Sequence, residues 1–337
     1  MIGEPARDGV VLLTDRAWPD DVIERRIIGD AGFGLVTGPA KPAPASEIEQ
    51  LVAVHDPIAI MTCWARVSAA AVASPSRLMA VARMGVGLDN IAVDAATARG
   101  AYVTNVPDYC VEEVSDHAVA LVLNWSRGVT TFDREVRSGL WNPASASLRR
   151  LSSKTIGLVG CGRIGRVTAR KFEGLGCRIL VHDHHLDGTN GPVGVEAVAM
   201  SRLLSDSDVV ILHVPLTNET HHLIGRDELK TMRRGALLVN VSRGGLVDTS
   251  ALVEALEAEH IDGAALDVLE EEPEVDPRLL AHPRVAITPH IAFSSDESVI
   301  ELRTKASHDV VRVLRGEAPT YPCNAPLPTA IRSREPR

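Results

Sequence analysis

The sequence predicts an α/β protein with doubly wound parallel sheets in two βα domains. Three observations carry this reading. Residues 155–183 read as a strand, a glycine turn, a helix and a second strand. Strand-like and helix-like apolar runs alternate along residues 9–108 and again from Thr155 onward. Repeated β-α units build a parallel sheet with helices on both faces. The third observation is length: 337 residues can bury a sizeable core and favour two domains.

The stretch from Thr155 to Asp183 organises the chain. Thr155-Ile-Gly-Leu-Val159 is a short apolar strand, followed by Gly160-Cys161-Gly162-Arg163-Ile164-Gly165. Gly160 allows a tight turn, Gly162 admits a pyrophosphate to the backbone, and Gly165 permits close helix packing. The phosphates of a dinucleotide would sit on the positive helix N-terminus. Arg178-Ile-Leu-Val-His-Asp183 then ends a strand in a carboxylate. An acid about 20 residues beyond the glycines accepts hydrogen bonds from the adenosine ribose. His184 and His185 follow, with no arginine to meet a 2′-phosphate. The cofactor expected is therefore NAD, not NADP.

Composition narrows the class. The chain is 45% hydrophobic and 23% charged, with a formal net charge of −9. That balance argues against nucleic acid or anionic lipid as a partner. The apolar run Val10–Leu13 is too short for a secretion signal. No apolar stretch is long enough to span a bilayer. Five cysteines, odd in number and without a CxxC pair, suit a reducing cytoplasm. His182, His184 and His185 cluster, but the spacing matches no known metal site, and no metal is expected.

Taken in order, strands are expected at residues 10–13, 34–36, 58–61, 78–81 and 101–104, and helices at 20–30, 68–74 and 90–99. Residues 112–125 are strongly helical, with Asp116 and His117 early in the run, and 132–141 form another helix. Beyond Asp183, strands fall at 209–212, 236–239, 264–266 and 285–287, and helices at 199–204, 227–232 and 249–257. A long amphipathic helix covers 297–314, and a proline-rich tail from Pro319 lies along the surface.

Four fragments follow strands, where such sheets place their ligands. Arg83-Met-Gly-Val86-Gly87-Leu-Asp-Asn90 can turn backbone N–H groups toward an anion, although a plain turn before a helix explains the glycines as well. Val239-Asn-Val241-Ser242-Arg243-Gly-Gly-Leu-Val-Asp248 puts an arginine among glycines, where it can hold a carboxylate bidentately. Asp248 has the plainer job of capping the next helix. Asp267-Val-Leu-Glu-Glu-Glu272-Pro273, read alone, is a solvated acidic loop, and His290 of Thr288-Pro-His290, read alone, is structural. Together an arginine, an acid and a histidine at strand ends of one sheet make a carbonyl-reducing site.

These fragments, with His213-Val214-Pro215-Leu-Thr217, make the chain resemble the D-isomer specific 2-hydroxyacid dehydrogenases. That family includes phosphoglycerate and D-lactate dehydrogenases, glyoxylate/hydroxypyruvate reductases and the C-terminal-binding-protein corepressors. The resemblance spans nearly the whole chain. It implies two Rossmann-like domains: a doubly wound NAD-binding domain, residues 109–295, inserted into a smaller flavodoxin-like substrate domain, residues 1–108 and 296–337. It places the active site in the cleft between them and implies a homodimer formed through the NAD domain.

Residue by residue, the resemblance makes Arg243, Glu272 and His290 catalytic. It implies cofactor contacts at Gly160, Gly162, Arg163, Ile164, Gly165, Asp183, His213, Val214, Pro215, Thr220, Val241, Ser242, Arg243, Asp267 and His290. Asp267 would hold the nicotinamide carboxamide. Substrate contacts fall at Val86, Gly87, Arg243 and His290, at Tyr109 as in the D-lactate branch, and at Trp64, for which core packing is an equal reading. Phe293 stands where the corepressors carry tryptophan, and Glu272 argues against a formate dehydrogenase.

The expected function is reversible NADH-linked reduction of a 2-keto acid to the (R)-2-hydroxy acid. His290, tuned by Glu272, would move the proton. A corepressor-like NAD(H)-responsive binding protein would keep the same trio and show no turnover. Oxidation of a phosphonate or other oxyanion on this scaffold is a third reading.

Overall fold

The computed structural model describes residues 9–186 and 194–326. The chain divides into two compact units, residues 1–109 with 295–337 and residues 110–294. Residues 327–337 of the expected tail lie outside the described residues.

The first unit runs β1 (Val10–Leu13), α1 (Val22–Asp30), β2 (Gly34–Thr37), α2 (Ala45–His55), β3 (Ala59–Thr62), α3 (Ala69–Ala73), β4 (Ala80–Arg83), α4 (Val93–Arg99) and β5 (Tyr102–Thr104). The sheet order is β2-β1-β3-β4-β5, with every pair parallel. That is the flavodoxin-like order. β1, β3 and β4 are buried almost throughout, as apolar strands covered on both faces must be.

Sequence reading named no helix between residues 36 and 58. α2 lies there, and Ile48 and Val52, one turn apart, are fully buried beside Leu12 and Ile60. Its apolar spacing was the signal. α4 begins three residues later than expected. The Asn90 side chain is committed to the carbonyls of Ala65 and Cys63, and Ile91 bridges to Val67. β4 is likewise displaced two residues toward the C-terminus of the expected run.

The second unit runs α5 (Val111–Arg127), α6 (Val129–Arg137), β6 (Thr155–Val159), α7 (Arg163–Gly174), β7 (Arg178–His182), β8 (Val195–Ala197), α8 (Met200–Asp206), β9 (Val209–Leu212), α9 (Arg226–Thr231), β10 (Leu237–Asn240), α10 (Thr249–Glu257), β11 (Gly263–Leu266), α11 (Pro277–Ala281) and β12 (Val285–Ile287). Its order is β12-β11-β10-β9-β6-β7-β8, again all parallel. Strand order reverses at β6, between β9 and β7, so the topological switch point lies at the carboxyl ends of β6 and β9. β8 and α11 were not expected. α6 ends at Arg137, short of the expected Trp141.

The C-terminal helix α12 (Asp296–Leu314) returns to the first unit. Arg303 on α12 is 6% exposed and donates from Nε and Nη2 to the fully buried Glu24 carboxylate of α1, at 2.9 and 2.8 Å. The Nη2 group also meets Asp20 at 2.7 Å, and the guanidinium lies 5.3 Å from the Trp18 ring centroid. Beyond the helix, the Cys323 N–H donates to Val103, Asn324 accepts from the Val103 N–H, and Pro322 bridges Thr104 antiparallel. Residues 322–324 thus cover the open edge of β5. Among the described residues no helix is long and apolar enough to cross a membrane.

Candidate active site

The glycine turn closes the switch point. Gly160 has φ +97°, and a Cβ there would stand 2.6 Å from the His213 carbonyl oxygen at the end of β9. Only glycine allows both. A Cβ at Gly165 would meet the Gly160 carbonyl oxygen at 2.4 Å, whereas one at Gly162 would meet nothing within 4 Å. Gly162 is the N-cap of α7, and its lack of a side chain leaves the first amides of the helix uncapped from within. Arg163 is exposed and Ile164 half-buried. The space and the donors suit an anionic pyrophosphate.

Asp183 follows β7. Its Oδ2 accepts from the Cys161 N–H at 2.7 Å and Oδ1 from the His185 N–H at 2.8 Å. Burial works against its charge, yet these two amides outweigh it and hold the carboxyl below the usual range. The carboxylate thus joins the glycine loop to the end of β7.

His213 follows β9. Burial pushes its pKa down to about 4, so the ring is neutral at neutral pH, and its buried Nε2 has no hydrogen-bond partner in the protein. An orphaned buried nitrogen beside an open glycine loop fits a bound cofactor. Val214 is half-buried and Pro215 exposed. The Thr220 hydroxyl donates to the Pro215 carbonyl at 2.7 Å and accepts from the Thr217 N–H, so it closes its own turn.

Beyond β10, Val241 is buried, and Ser242 donates its hydroxyl to the Leu212 carbonyl at 2.7 Å. Arg243 is half-buried, with Nη1 donating to the Ser242 carbonyl at 2.7 Å, while Asn240 Nδ2 donates to the Arg243 carbonyl at 2.8 Å. Asp248 caps α10 as expected, accepting from the Ala251 N–H at 3.0 Å.

Beyond β11 and β12 come the acid and the histidine. Glu272 Oε2 lies 2.8 Å from His290 Nδ1, and Oε1 accepts from the Leu269 N–H at 2.9 Å. Burial raises the Glu272 pKa, but the hydrogen bond and charge of His290, then the Leu269 amide and Arg243, bring it below the usual glutamate value. The pairing leaves Nε2 as the ring's other proton-carrying position. Neighbouring Glu270 takes another direction, with Oε1 2.6 Å from His222 Nε2 and Oε2 accepting from the Thr249 N–H. His221, His222 and Glu270 put ligand atoms within 4.8 Å of one another, but both Glu270 oxygens already hold hydrogen bonds.

Asp267 is 2% exposed. Its Oδ1 accepts from the Thr288 hydroxyl and the Ile291 N–H, and Oδ2 from the Ala292 N–H. Those bonds leave one acceptor position of the carboxylate for a carboxamide.

The first unit carries its own loops. Val86 and Gly87 follow β4, where the Val86 carbonyl accepts from Asn105 Nδ2 at 2.7 Å and the Gly85 carbonyl from the Val106 N–H. Trp64 is half-buried and Tyr109 is 6% exposed. Sequence reading missed Asp15. This fully buried carboxylate accepts from the N–H groups of Cys63, Trp64 and Ala65 at 2.9, 2.7 and 3.1 Å, and so sets the loop bearing Trp64. Its sequence signal is an acid directly after the β1 run Val10-Val-Leu-Leu-Thr14.

Residues 119–292 match the profile of the D-isomer specific 2-hydroxyacid dehydrogenase NAD binding domain. The chain belongs to the D-isomer specific 2-hydroxyacid dehydrogenases. It is 43% identical over 249 residues to a glyoxylate reductase of Korarchaeum cryptofilum, covering 72% of this chain and 75% of that one. A solved structure of a Thermus thermophilus protein superposes with a TM-score of 0.85 at 33% identity, covering 94% of this chain and 100% of that one. A D-lactate dehydrogenase of Lactobacillus jensenii, solved with NAD+, gives 0.72 at 26% identity, with 94% and 100% covered. The dehydrogenase is thus an NAD-dependent oxidoreductase acting on the CH–OH group of 2-hydroxy acids.

Proposed function

We propose that this dehydrogenase reduces a small 2-keto acid to the (R)-2-hydroxy acid through Arg243, Glu272 and His290. The observation that carries this is the 2.8 Å pairing of His290 Nδ1 with Glu272 Oε2. Arg243 belongs to the adjoining strand end. NADH, when bound, supplies the hydride to the carbonyl carbon. His290 delivers a proton from Nε2 to the carbonyl oxygen, so no alkoxide accumulates. Glu272, held ionised, orients the imidazole and balances its charge. Arg243 holds the substrate carboxylate by its planar fork. Val86, Gly87, Tyr109 and Trp64 are further candidate substrate contacts. Gly160, Gly162, Arg163, Ile164 and Gly165 take the pyrophosphate, and Asp183 the ribose. His213, Val214, Pro215, Thr220, Val241, Ser242 and Asp267 line the remainder of the dinucleotide. The test is loss of NADH absorbance with a panel of 2-keto acids beginning with glyoxylate. Tight NADH binding without turnover of any of them would overturn the assignment and favour a binding protein.

We also propose a homodimer through the second unit. α6 buries none of its residues, and Val129, Val136, Leu140 and Trp141 stand 61%, 48%, 49% and 83% exposed. Contiguous exposed apolar side chains mark association surfaces, and a second copy of this chain is the proposed occupant. Sedimentation of Trp141→Glu as a monomer would support it; a monomeric wild type would sink it. The cysteine pattern supports a reducing, cytoplasmic setting.

A further inference from the structure

We infer that His117 is a positioning residue for His290, acting through Thr288 and Asp267. The role rests on reading His290 as the proton donor. His290 has φ +54°, a left-handed backbone that non-glycine residues rarely adopt. Something must hold it there. Its N–H donates to the Asp267 carbonyl at 2.8 Å and the Thr288 carbonyl at 3.0 Å. The next two amides, Ile291 and Ala292, donate to the two Asp267 carboxylate oxygens at 3.0 and 2.9 Å. The orientation of one buried carboxylate therefore determines the path of the chain through His290.

That carboxylate is oriented in turn. The Thr288 hydroxyl donates to Asp267 Oδ1 at 2.6 Å. A hydroxyl has one hydrogen, so Thr288 Oγ1 can only accept from its other neighbour. That neighbour is His117 Nε2 on α5, at 2.9 Å. His117 must therefore carry its proton on Nε2, and the chain of donors runs His117 to Thr288 to Asp267. The same Nε2 lies 3.5 Å from Asp267 Oδ1, so the imidazole N–H also faces the buried charge. Without His117 the Thr288 oxygen loses its donor, and α5 no longer fixes the hydroxyl against Asp267. A half-satisfied buried network loses its single arrangement. The hand-off of a proton at His290 tolerates little displacement, since about 1 Å can cost on the order of 10²-fold in rate.

His117→Leu and Thr288→Val break the relay with similar shapes, whereas His117→Gln keeps a donor N–H at a similar reach. In the two broken variants kcat for keto-acid reduction should fall about 10–100-fold. His117→Gln should recover most of that loss. Amide exchange supplies a readout without turnover: Ile291 and Ala292 should exchange faster in the broken variants and at the wild-type rate in His117→Gln. Folded His117→Leu and Thr288→Val proteins with unchanged kcat would overturn the role, whatever their exchange rates. Absence of turnover in the wild type would instead overturn the reading of His290. In that case the exchange rates alone would support or refute the link from His117 to Asp267.

Discussion

Gly244 and Leu269 are in backbone contact so close that no side chain fits between them. A Cβ at Gly244 would fall 1.8 Å from both the carbonyl carbon and the carbonyl oxygen of Leu269. Gly244 follows Arg243, and the Leu269 N–H donates to Glu272. The contact therefore registers the arginine loop against the acid loop. Gly244→Ala must push them apart. Overpacking of this kind destabilises by about 1–3 kcal/mol or more, and the expected result is a lower urea midpoint with a large loss of kcat. Gly162→Ala is the contrast, because a Cβ there meets nothing within 4 Å. Its stability should stay within about 0.5 kcal/mol of wild type while NADH affinity falls. Equal urea midpoints for Gly244→Ala and Gly162→Ala would contradict this account.

Cofactor choice should rest on Asp183. A hydrogen bond to a charged acceptor contributes about 1.5–3 kcal/mol, so Asp183→Ala should weaken NADH binding by roughly 10–100-fold and narrow the gap to NADPH. Titration of both cofactors by fluorescence checks this. A wild-type protein that binds NADPH better than NADH would show that the carboxylate does not read the ribose.

His290→Asn should lower turnover by about 10²–10⁴ and leave NADH binding nearly unchanged. The acid limb of the pH profile should come from Glu272. Because its carboxyl is held below the usual value, the ionised form persists as pH falls through the ordinary glutamate range. Activity should be lost only as pH drops through that depressed value. Glu272→Gln should run slower throughout and lack this limb. Profiles of kcat/KM that keep the same limb in the Gln variant would assign it to another group.

The buried pair of Glu24 and Arg303 should be costly to break. Removing one partner leaves the other's charge uncompensated, at about 3–5 kcal/mol. Asp20 remains beside the guanidinium at 2.7 Å, which places Glu24→Gln toward the lower end. Urea unfolding followed by circular dichroism measures it. A midpoint equal to wild type would mean that the Glu24–Arg303 pair does not hold α12 to α1.

Much of the fold was legible because its signals are local. The two sheets are built from short apolar runs such as Val209–Leu212 and Ala59–Thr62, buried throughout as parallel strands require. The glycine loop announced its turn, and Asp248 its cap. Boundaries were less legible where a side chain's distant partner ended an element. Asn90, bound to the carbonyls of Cys63 and Ala65, delays α4 in a way that no property of residues 90–99 reveals.

The sequence by itself determined the two parallel sheets, the glycine loop with the acid that ends the next strand, and the strand ends that Arg243, Glu272 and His290 follow. Periodicity and glycine spacing act over a few residues, and a motif states them directly. Tertiary structure alone decided that Glu270 meets His222. It also decided that Asp15 holds the loop of Trp64 from 49 residues away, and that His117 reaches Thr288 across 171. Arg303 finds Glu24 across 279 residues. Such pairings depend on where whole elements pack, and a buried polar group takes whichever partner that packing delivers.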